Sequence, residues 1–465
     1  MKSILSTKPV FLVLMICCLS CKKFVEINPP SDQIINEKVY SNDQVATSAI
    51  RGIYVNMMTS GGFASGNVYS VTMLAGRSSD EFTNYNIDNT YRQFWTNNIS
   101  PDNNGLRTGL WQEPYKNIYA ANLVLENLEK SNGVTAAVKQ QLQGEAKFIR
   151  AFCYFYLTNL FGSVPLILST DYNVNAVAAA STSEQIYIQM IKDLTEAKAQ
   201  LSDAYPSIER VRANRWATSA LLARVYLYHR QWANAEAEAT GIIAKNDQYN
   251  LEENLSQVFL KNNKEAILQF FVPTINDVNT YEGQLFILDT PPGAQTQVVL
   301  NDNLVQSFEL NDLRLANWVG TYVTENASWH YAAKYKVKAG ATPSSEYSMV
   351  LRLAEQYLIR AEARTMQDNF QGARDDLNKI RNRAGLDNLS YNTQAELLLA
   401  IEKERKVELF AEWGHRWLDL KRTGRASAVL GPLKAPNWQN TDMLYPIPQS
   451  EITNNKNLVQ NNGYQ

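Results

Sequence analysis

Cysteine is nearly absent from the body of this 465-residue chain. Cys17, Cys18 and Cys21 lie within the first twenty-one residues, and Cys153 alone stands beyond them. No disulfide can form within the body, so packing must hold the fold, which a chain of this length permits. Histidine is scarce as well. His229, His330 and His415 form no HExxH and no Cys/His zinc spacing, and no GxxxxGK[ST] phosphate loop occurs. The run Asp102-Asn-Asn-Gly105 lacks EF-hand spacing. No metal or cofactor is therefore expected. A basic excess is missing too: 44 Lys and Arg face 46 Asp and Glu. Residues 1–20 carry Lys2 and Lys8 and no acid, so without them the balance is 42 to 46, which argues against a nucleic-acid partner. Beyond the N-terminus no apolar run approaches the ~20 residues of a membrane-spanning helix.

What is present begins at the N-terminus. Met1-Lys2-Ser3, the apolar run Val10 to Ile16 and the small Ser20 before Cys21 describe an export signal. A cysteine at the first mature position marks a bacterial lipoprotein, although Cys18 stands where an aliphatic residue is usual. The expectation is a signal peptide over 1–20 and a mature chain tethered through lipidated Cys21. Each buried CH₂ contributes ~0.8 kcal/mol, and stable anchoring takes more than one acyl chain. A soluble secreted protein with incidental cysteines is the competing reading.

Residues 22–36, with Pro29-Pro30, read as a polar tether. Helical periodicity then predicts helices over 43–58, 107–130, 135–160, 183–202, 214–230, 232–245, 349–367, 370–384, 394–413 and 415–423. In 142–157, Leu142, Ala146, Ile149, Phe152, Cys153 and Tyr156 recur at helical spacing, which makes Cys153 a packed core thiol. Residues 266–272 and 331–337 read as strands. The stretch 59–106 reads as loop, a second loop-rich stretch contains Pro291-Pro292-Gly293, and the proline-dotted tail from 430 reads as loop. An internal echo links 214–243 with 352–381. Ala223 precedes Trp232 by the spacing with which Ala361 precedes Phe370, and Ala235 and Ala373 follow those aromatics alike. Small residues let two helices approach, as in a tetratricopeptide-type hairpin.

Several blocks carry a resemblance to a known family. They are Ala46 to Tyr54, Trp111 to Asn122, Gly144 to Tyr156 with Phe161-Gly162 and Val164-Pro165, and Arg352 to Ala363 with Ile380 to Gly385. The most specific is Glu404-Arg-Lys-Val-Glu-Leu-Phe-Ala-Glu-Trp-Gly-His-Arg-Trp-Leu-Asp-Leu-Lys-Arg422, and Leu444 to Glu451 with Asn457 completes the series. Their order and spacing resemble the SusD/RagB family of outer-membrane nutrient-binding lipoproteins. The resemblance implies a mainly α fold: four tetratricopeptide-like helix pairs form a scaffold, joined to an irregular, loop-rich ligand-binding part with a few short strands. It implies one SusD-like domain over 21–465, with an N-terminal part of about 37–250 and a C-terminal part of about 255–465. It also implies a surface-exposed outer-membrane lipoprotein that delivers oligosaccharide, or in some members peptide, to a SusC-like TonB-dependent transporter, without catalysis. Many surface-exported relatives carry acidic residues after the lipid cysteine. This chain has Lys22-Lys23 before Glu26, which leaves its facing direction open.

Glu402, Glu404 and Glu408 could suggest paired glycosidase carboxylates. Among Arg405, Trp413, Arg416, Trp417 and Asp419 they read instead as an ion-pair and aromatic network joining the last helices. The aromatics of the variable stretches differ. Tyr85, Tyr91, Phe94 and Trp95 lie among Asn84, Asn86, Asp88, Asn89, Arg92 and Asn97, and Trp318, Tyr322, Trp329 and Tyr331 lie in the second stretch. Aromatic faces beside short amides suit sugars, because the ring covers C–H groups and the amides read hydroxyls. The expected ligand-binding residues are Tyr85, Tyr91, Trp95, Asn97, Trp318, Tyr322 and Trp329, with Tyr91 and Trp95 facing Trp318, Tyr322 or Trp329. A peptide binder on the same scaffold, a protein-only adaptor and, more distantly, a hydrolase are the alternatives.

Overall fold

The computed structural model describes residues 39–59, 61–272, 278–340 and 343–464. Cys21, the signal and the tether lie outside the described residues. Helices dominate. After α1 (Asp43–Met57), α2 (Val71–Ser78) and α3 (Asn89–Thr96) come α4 (Glu113–Lys130), α5 (Ala136–Phe161), α6 (Ser183–Gln200), α7 (Arg215–Tyr228) and α8 (Trp232–Ile243). A short α9 (Leu313–Trp318) precedes α10 (Leu353–Thr365), α11 (Phe370–Arg383), α12 (Gln394–Glu408), α13 (His415–Arg422), α14 (Ala426–Lys434) and α15 (Gln449–Asn454). The row α4-α5-α6-α7-α8-α10-α11 packs neighbour on neighbour, and α12 closes it against α10 and α11. Ala223, Ala235, Ala361 and Ala373 are all fully buried where α7–α8 and α10–α11 turn back on themselves. This is a mainly α scaffold of helix hairpins, as the resemblance implies. At Gly144, where α5 passes the end of α6, a Cβ would lie 2.7 Å from Leu201 Cγ, so only glycine allows that approach. Among the described residues no helix is long and apolar enough to cross a membrane.

The strands are short and pair two by two. They are β1 (Phe82–Asn84) with β5 (Val298–Leu300), β2 (Val164–Pro165) with β3 (Ala180–Ser181), β4 (Ala266–Phe270) with β8 (Ser348–Arg352), and β6 (Val319–Val323) with β7 (Ser328–Ala332), all antiparallel. The main core gathers around Trp413, which meets Phe152, Tyr156 and Phe270 and donates its indole N–H to Met349 O at 2.6 Å. Ala411, Trp413 and Gly414 all have positive φ. Trp413 and Ala411 donate their backbone N–H groups to Thr72 Oγ1 and Glu81 Oε1, both at 3.1 Å, and so tie this strained turn to the α2 region.

Four expectations are corrected. The stretch 59–106 is not loop: α2 and α3 lie in it, and in α2 even Thr72, Arg77 and Ser78 are buried, so no solvated face marks it as a helix. The segment expected to open a helix at 349 is strand β8, buried along its whole length, and α10 starts only at Leu353. A fully buried strand and a buried helix share the same uninterrupted apolar pattern. The tail contains α14 and α15. Pro432 lies inside α14, where its missing N–H removes one helical bond close to the end of the helix, and Pro448 is the cap before α15, a position that tolerates proline. The strand expected at 331–337 is also largely absent: only Tyr331 and Ala332 are strand, as the end of β7, and 333–337 are not.

The carboxylates of α12 belong to a buried ion network. Arg352 meets Glu265 at 2.9 Å, Glu408 at 2.6 Å and Glu412 at 2.9 Å, and Arg314 meets Asp312 and Glu408, each at 2.9 Å, and Glu404. Arg383 pairs with Glu265 and Glu408, and Lys334 with Glu412. Burial alone would raise the Glu408 carboxyl, but Arg383, Arg352 and Arg314 outweigh it and hold it well below the usual range. Arg405 does not neighbour Glu404 and Glu408 as an ion partner; its Nε bonds Asp419 Oδ2 at 2.7 Å. Removing one partner from such a buried network leaves an uncompensated charge and costs about 3–5 kcal/mol.

Candidate functional site

The β6–β7 hairpin presents two chemically different faces. Its register pairs Tyr322 with Trp329 and Gly320 with Tyr331, so period-two alternation puts three aromatics on one face. Tyr322 and Trp329 have ring centroids 6.5 Å apart at 38°. Tyr331 lies over Gly320, where a Cβ would come within 2.2 Å of its Cζ, so the absent side chain makes room for the ring. Tyr85, just after β1, meets this face: Trp329 Nε1–H donates to Tyr85 Oη at 3.0 Å. All four rings are half-buried, which leaves part of each open to solvent.

A polar cluster stands at the β1–β5 pair, which Tyr85 follows in the chain. Arg77, on α2, is fully buried and donates to Asn84 Oδ1 at 3.2 Å and to Gln297 Oε1 at 2.8 Å, fixing two amides at the β1–β5 junction. Its guanidinium lies 4.6 Å from the centre of the Tyr91 ring, and Tyr91 in turn packs on Tyr69. Burial pushes Arg77 down to about 9, while Tyr91 acts in the opposite direction. Among the described residues no carboxylate pairs with Arg77. The same burial pushes the Tyr91 phenol up to about 12. The site thus offers aromatic faces for C–H surfaces and amides for hydroxyls. No group of three or more His, Cys, Asp or Glu side chains placed to hold a metal occurs among the described residues.

The seven expected residues divide. Tyr85, Tyr322 and Trp329 come together, while Tyr91 lies against Arg77, which in turn bonds Asn84. Trp95 is half-buried beside a separate cavity with Phe82, Asn301 and Lys434, whose Nζ donates to Trp95 O at 2.7 Å. Trp318 is a correction. It is fully buried, donates Nε1–H to Leu255 O at 2.9 Å, and has the Lys334, Arg352 and Arg383 cations 4.9, 5.9 and 5.7 Å from its ring, so it offers no face to a ligand. Asn97 is a second correction: it is the left-handed C-cap of α3, buried, with its side-chain amide turned inside. Phe94 is also core. Arg77 and Gln297 were missed. The signal available for Arg77 was a lone cation inside an apolar run, Val71 to Ser78.

Two family models match the chain: "Starch-binding associating with outer membrane" over residues 23–227 and "SusD family" over 302–464. The chain belongs to the SusD/RagB family. Among curated relatives it is 25% identical to "SusD-like protein P25" of Formosa agariphila, covering 98% of both chains. It is 24% identical to "Starch-binding protein SusD" of Bacteroides thetaiotaomicron, covering 72% of this chain and 75% of that one. Among solved structures, a SusD superfamily protein from Bacteroides vulgatus superposes with a TM-score of 0.81 at 20% identity, over 91% of this chain and all of that one. A laminarin-binding SusD-like protein superposes with a TM-score of 0.76 at 23% identity, over 91% of this chain and all of that one. At such identities the structures establish the SusD-like fold.

Proposed function

We infer that this chain is a surface-exposed, lipid-anchored outer-membrane protein that captures oligosaccharide and passes it to a SusC-like TonB-dependent transporter, with no catalysis of its own. The observation that carries the binding half is the open aromatic face of Tyr322, Trp329 and Tyr331 with Tyr85 at its edge. Rings presented in this way cover the C–H face of a pyranose, and the anchored amides Asn84 and Gln297 supply hydroxyl partners beside them. The names of two relatives, one starch-binding and one laminarin-binding, support a glycan as the ligand class. The anchoring half rests on Ser20-Cys21 and on the outer-membrane association named for the family model. In this reading residues 1–20 are removed and 22–36 form the tether to the SusD-like body.

Calorimetry of the mature chain against panels of oligosaccharides and of peptides tests the binding half. Saturable binding of a glycan, weakened by Trp329→Ala, is the expected result. Binding of peptides alone would move the protein to the peptide-binding branch. For the anchor, Cys21→Ala should release the protein from the membrane fraction or leave it unprocessed. A Cys21→Ala protein still fractionating as a mature outer-membrane protein would overturn the lipoprotein assignment.

A further inference from the structure

A groove of about 690 Å³ opens beside the first turns of α4 and shares no residue with the aromatic face. A row of aromatics forms one wall. Trp111, Tyr115 and Tyr119 follow one another at four-residue steps, which makes them neighbours along one helix face. Trp111 is buried, Tyr115 is half-buried and Tyr119 is 48% exposed, so the rings step outward from core to surface. The Trp111 and Tyr115 centroids lie 5.3 Å apart at 50°, and Tyr115 Oη donates to Pro165 O at 2.9 Å. The row begins in a π-helix over Leu106–Gln112, whose last two residues line the groove. Widened turns of this kind are rare and recur at functional sites.

The other walls are the segment 165–176 and α15 with the residues that follow it. They are tied to each other and to the start of α4. Asn455 Nδ2 donates to Ala178 O at 2.8 Å, Asn457 Nδ2 to Val177 O at 2.7 Å, and Gln112 Nε2 to Glu451 Oε1 at 3.3 Å. The groove is therefore formed in advance, and a ligand has little of it to order. Its charges turn an anion away. Lys116 is already paired with Glu113, and the Glu451 carboxylate faces no cation among the described residues. Tyr119 Oη and the Asn454 side-chain amide, both on exposed residues of the lining, have no hydrogen-bond partner among the described residues.

We propose that this groove is a second carbohydrate site, which holds a neutral oligosaccharide along α4. The Tyr115 and Tyr119 rings cover the C–H faces of the sugar. The Tyr119 hydroxyl, the Asn454 amide and the Glu451 carboxylate take its hydroxyls, which both donate and accept. The ligand class rests on the glycan reading of the protein, whereas the place of the site does not.

The test is calorimetry of the mature chain with neutral hexasaccharides as probes: maltohexaose, laminarihexaose, cellohexaose and mannohexaose. The parent should show a second binding event that survives in Tyr322→Ala/Trp329→Ala, where the hairpin face is removed. In that background Tyr119→Ala, an exposed change that leaves folding intact, should weaken the surviving event about tenfold. Tyr119→Phe, which keeps the ring, should weaken it less, and Ala176→Glu, which narrows the groove, should weaken it as Tyr119→Ala does. If the hairpin variant does not fold, Tyr119→Ala in the parent should still remove one event and spare the other. Glycan binding that needs Tyr119 but not Trp329 would uphold the groove and remove the hairpin face. Loss of all binding in a folded Tyr322→Ala/Trp329→Ala protein would overturn the groove and leave the glycan reading intact. A surviving event indifferent to Tyr119→Ala and Ala176→Glu would overturn it too. No hexasaccharide binding to the parent, or binding of peptides alone through Tyr119, would overturn the proposal together with the glycan reading.

Discussion

Trp329 donates its indole N–H to the phenol oxygen of Tyr85 across 244 positions of the chain, at 3.0 Å. That bond ties the β6–β7 hairpin to the end of β1 and holds two rings at a fixed mutual angle. Trp329→Ala should therefore cost on the order of 1–3 kcal/mol of glycan affinity, the scale of a ring stacked on an aromatic. Tyr85→Phe keeps the ring and removes only the acceptor, so it should cost less. Calorimetry with the best ligand of the panel checks both. A Trp329→Ala protein that folds and binds normally would exclude this face as the site.

Trp417 is the opposite kind of aromatic. It is fully buried and stacks on Tyr445 with centroids 5.7 Å apart at 17°, and Trp438 meets it edge-on at 6.2 Å. Trp417→Ala should lower stability by roughly 3–5 kcal/mol, the usual cost of a core aromatic. Ligand affinity in the protein that still folds should be unchanged. Its Nε1 has no partner, so Trp417→Phe loses no hydrogen bond and should be milder. Denaturant unfolding of both variants measures the difference, and normal stability with lost binding would reverse the assignment.

The contrast between these two tryptophans shows how far the sequence reached. Alanines at repeated spacing gave the hairpins away, because helix contact is local and the small residues recur at the crossing points. The Glu404 to Arg422 block was read correctly as structural, but its partners Arg314, Lys334 and Arg352 lie far off in the chain and left no local mark. The same distance hid the fate of Trp318. In composition its surroundings match those of Trp329, and only partners distant in the chain make it core: Phe259 edge-on to its ring, the Leu255 carbonyl and the three cations. Tyr85, Tyr322 and Trp329 were legible as aromatics in variable stretches. That Tyr85, rather than Tyr91 or Trp95, would meet the hairpin depends on the β1–β5 pairing, which three residues per strand could not announce.

Glu81 makes stability depend on pH. It is fully buried, and burial first, then the nearby Asp80, pushes its carboxyl up to about 8, against opposing effects of the Ala411 N–H, Arg416 and Lys334. Because the folded value lies above the unfolded one, the folded state holds a proton that the unfolded state has released between about pH 4.5 and 8. The contribution is complete below the unfolded value and is lost as pH rises through the folded one. Glu81→Gln keeps the shape and removes the titration. Its thermal midpoint should gain on the parent's as pH rises from 5 to 8. Parallel melting profiles over that window would show that Glu81 does not hold its proton.

Gly320 tests whether the aromatic face needs all three of its hairpin rings. A Cβ there would come within 2.2 Å of Tyr331 Cζ and 2.6 Å of its Oη, distances no real contact sustains. The clash falls on the far end of a side chain, so the ring can swing aside while the backbone pairing of Gly320 with Tyr331 persists. Gly320→Ala should therefore leave the melting midpoint close to that of the parent. Glycan affinity should fall by an amount approaching that of Tyr331→Ala, roughly 1–3 kcal/mol if the displaced ring is a true platform. A Gly320→Ala protein with unchanged affinity, alongside a Tyr331→Ala protein that binds poorly, would mean that the ring does its work without lying over Gly320. Unchanged affinity in both would confine the platform to Tyr85, Tyr322 and Trp329.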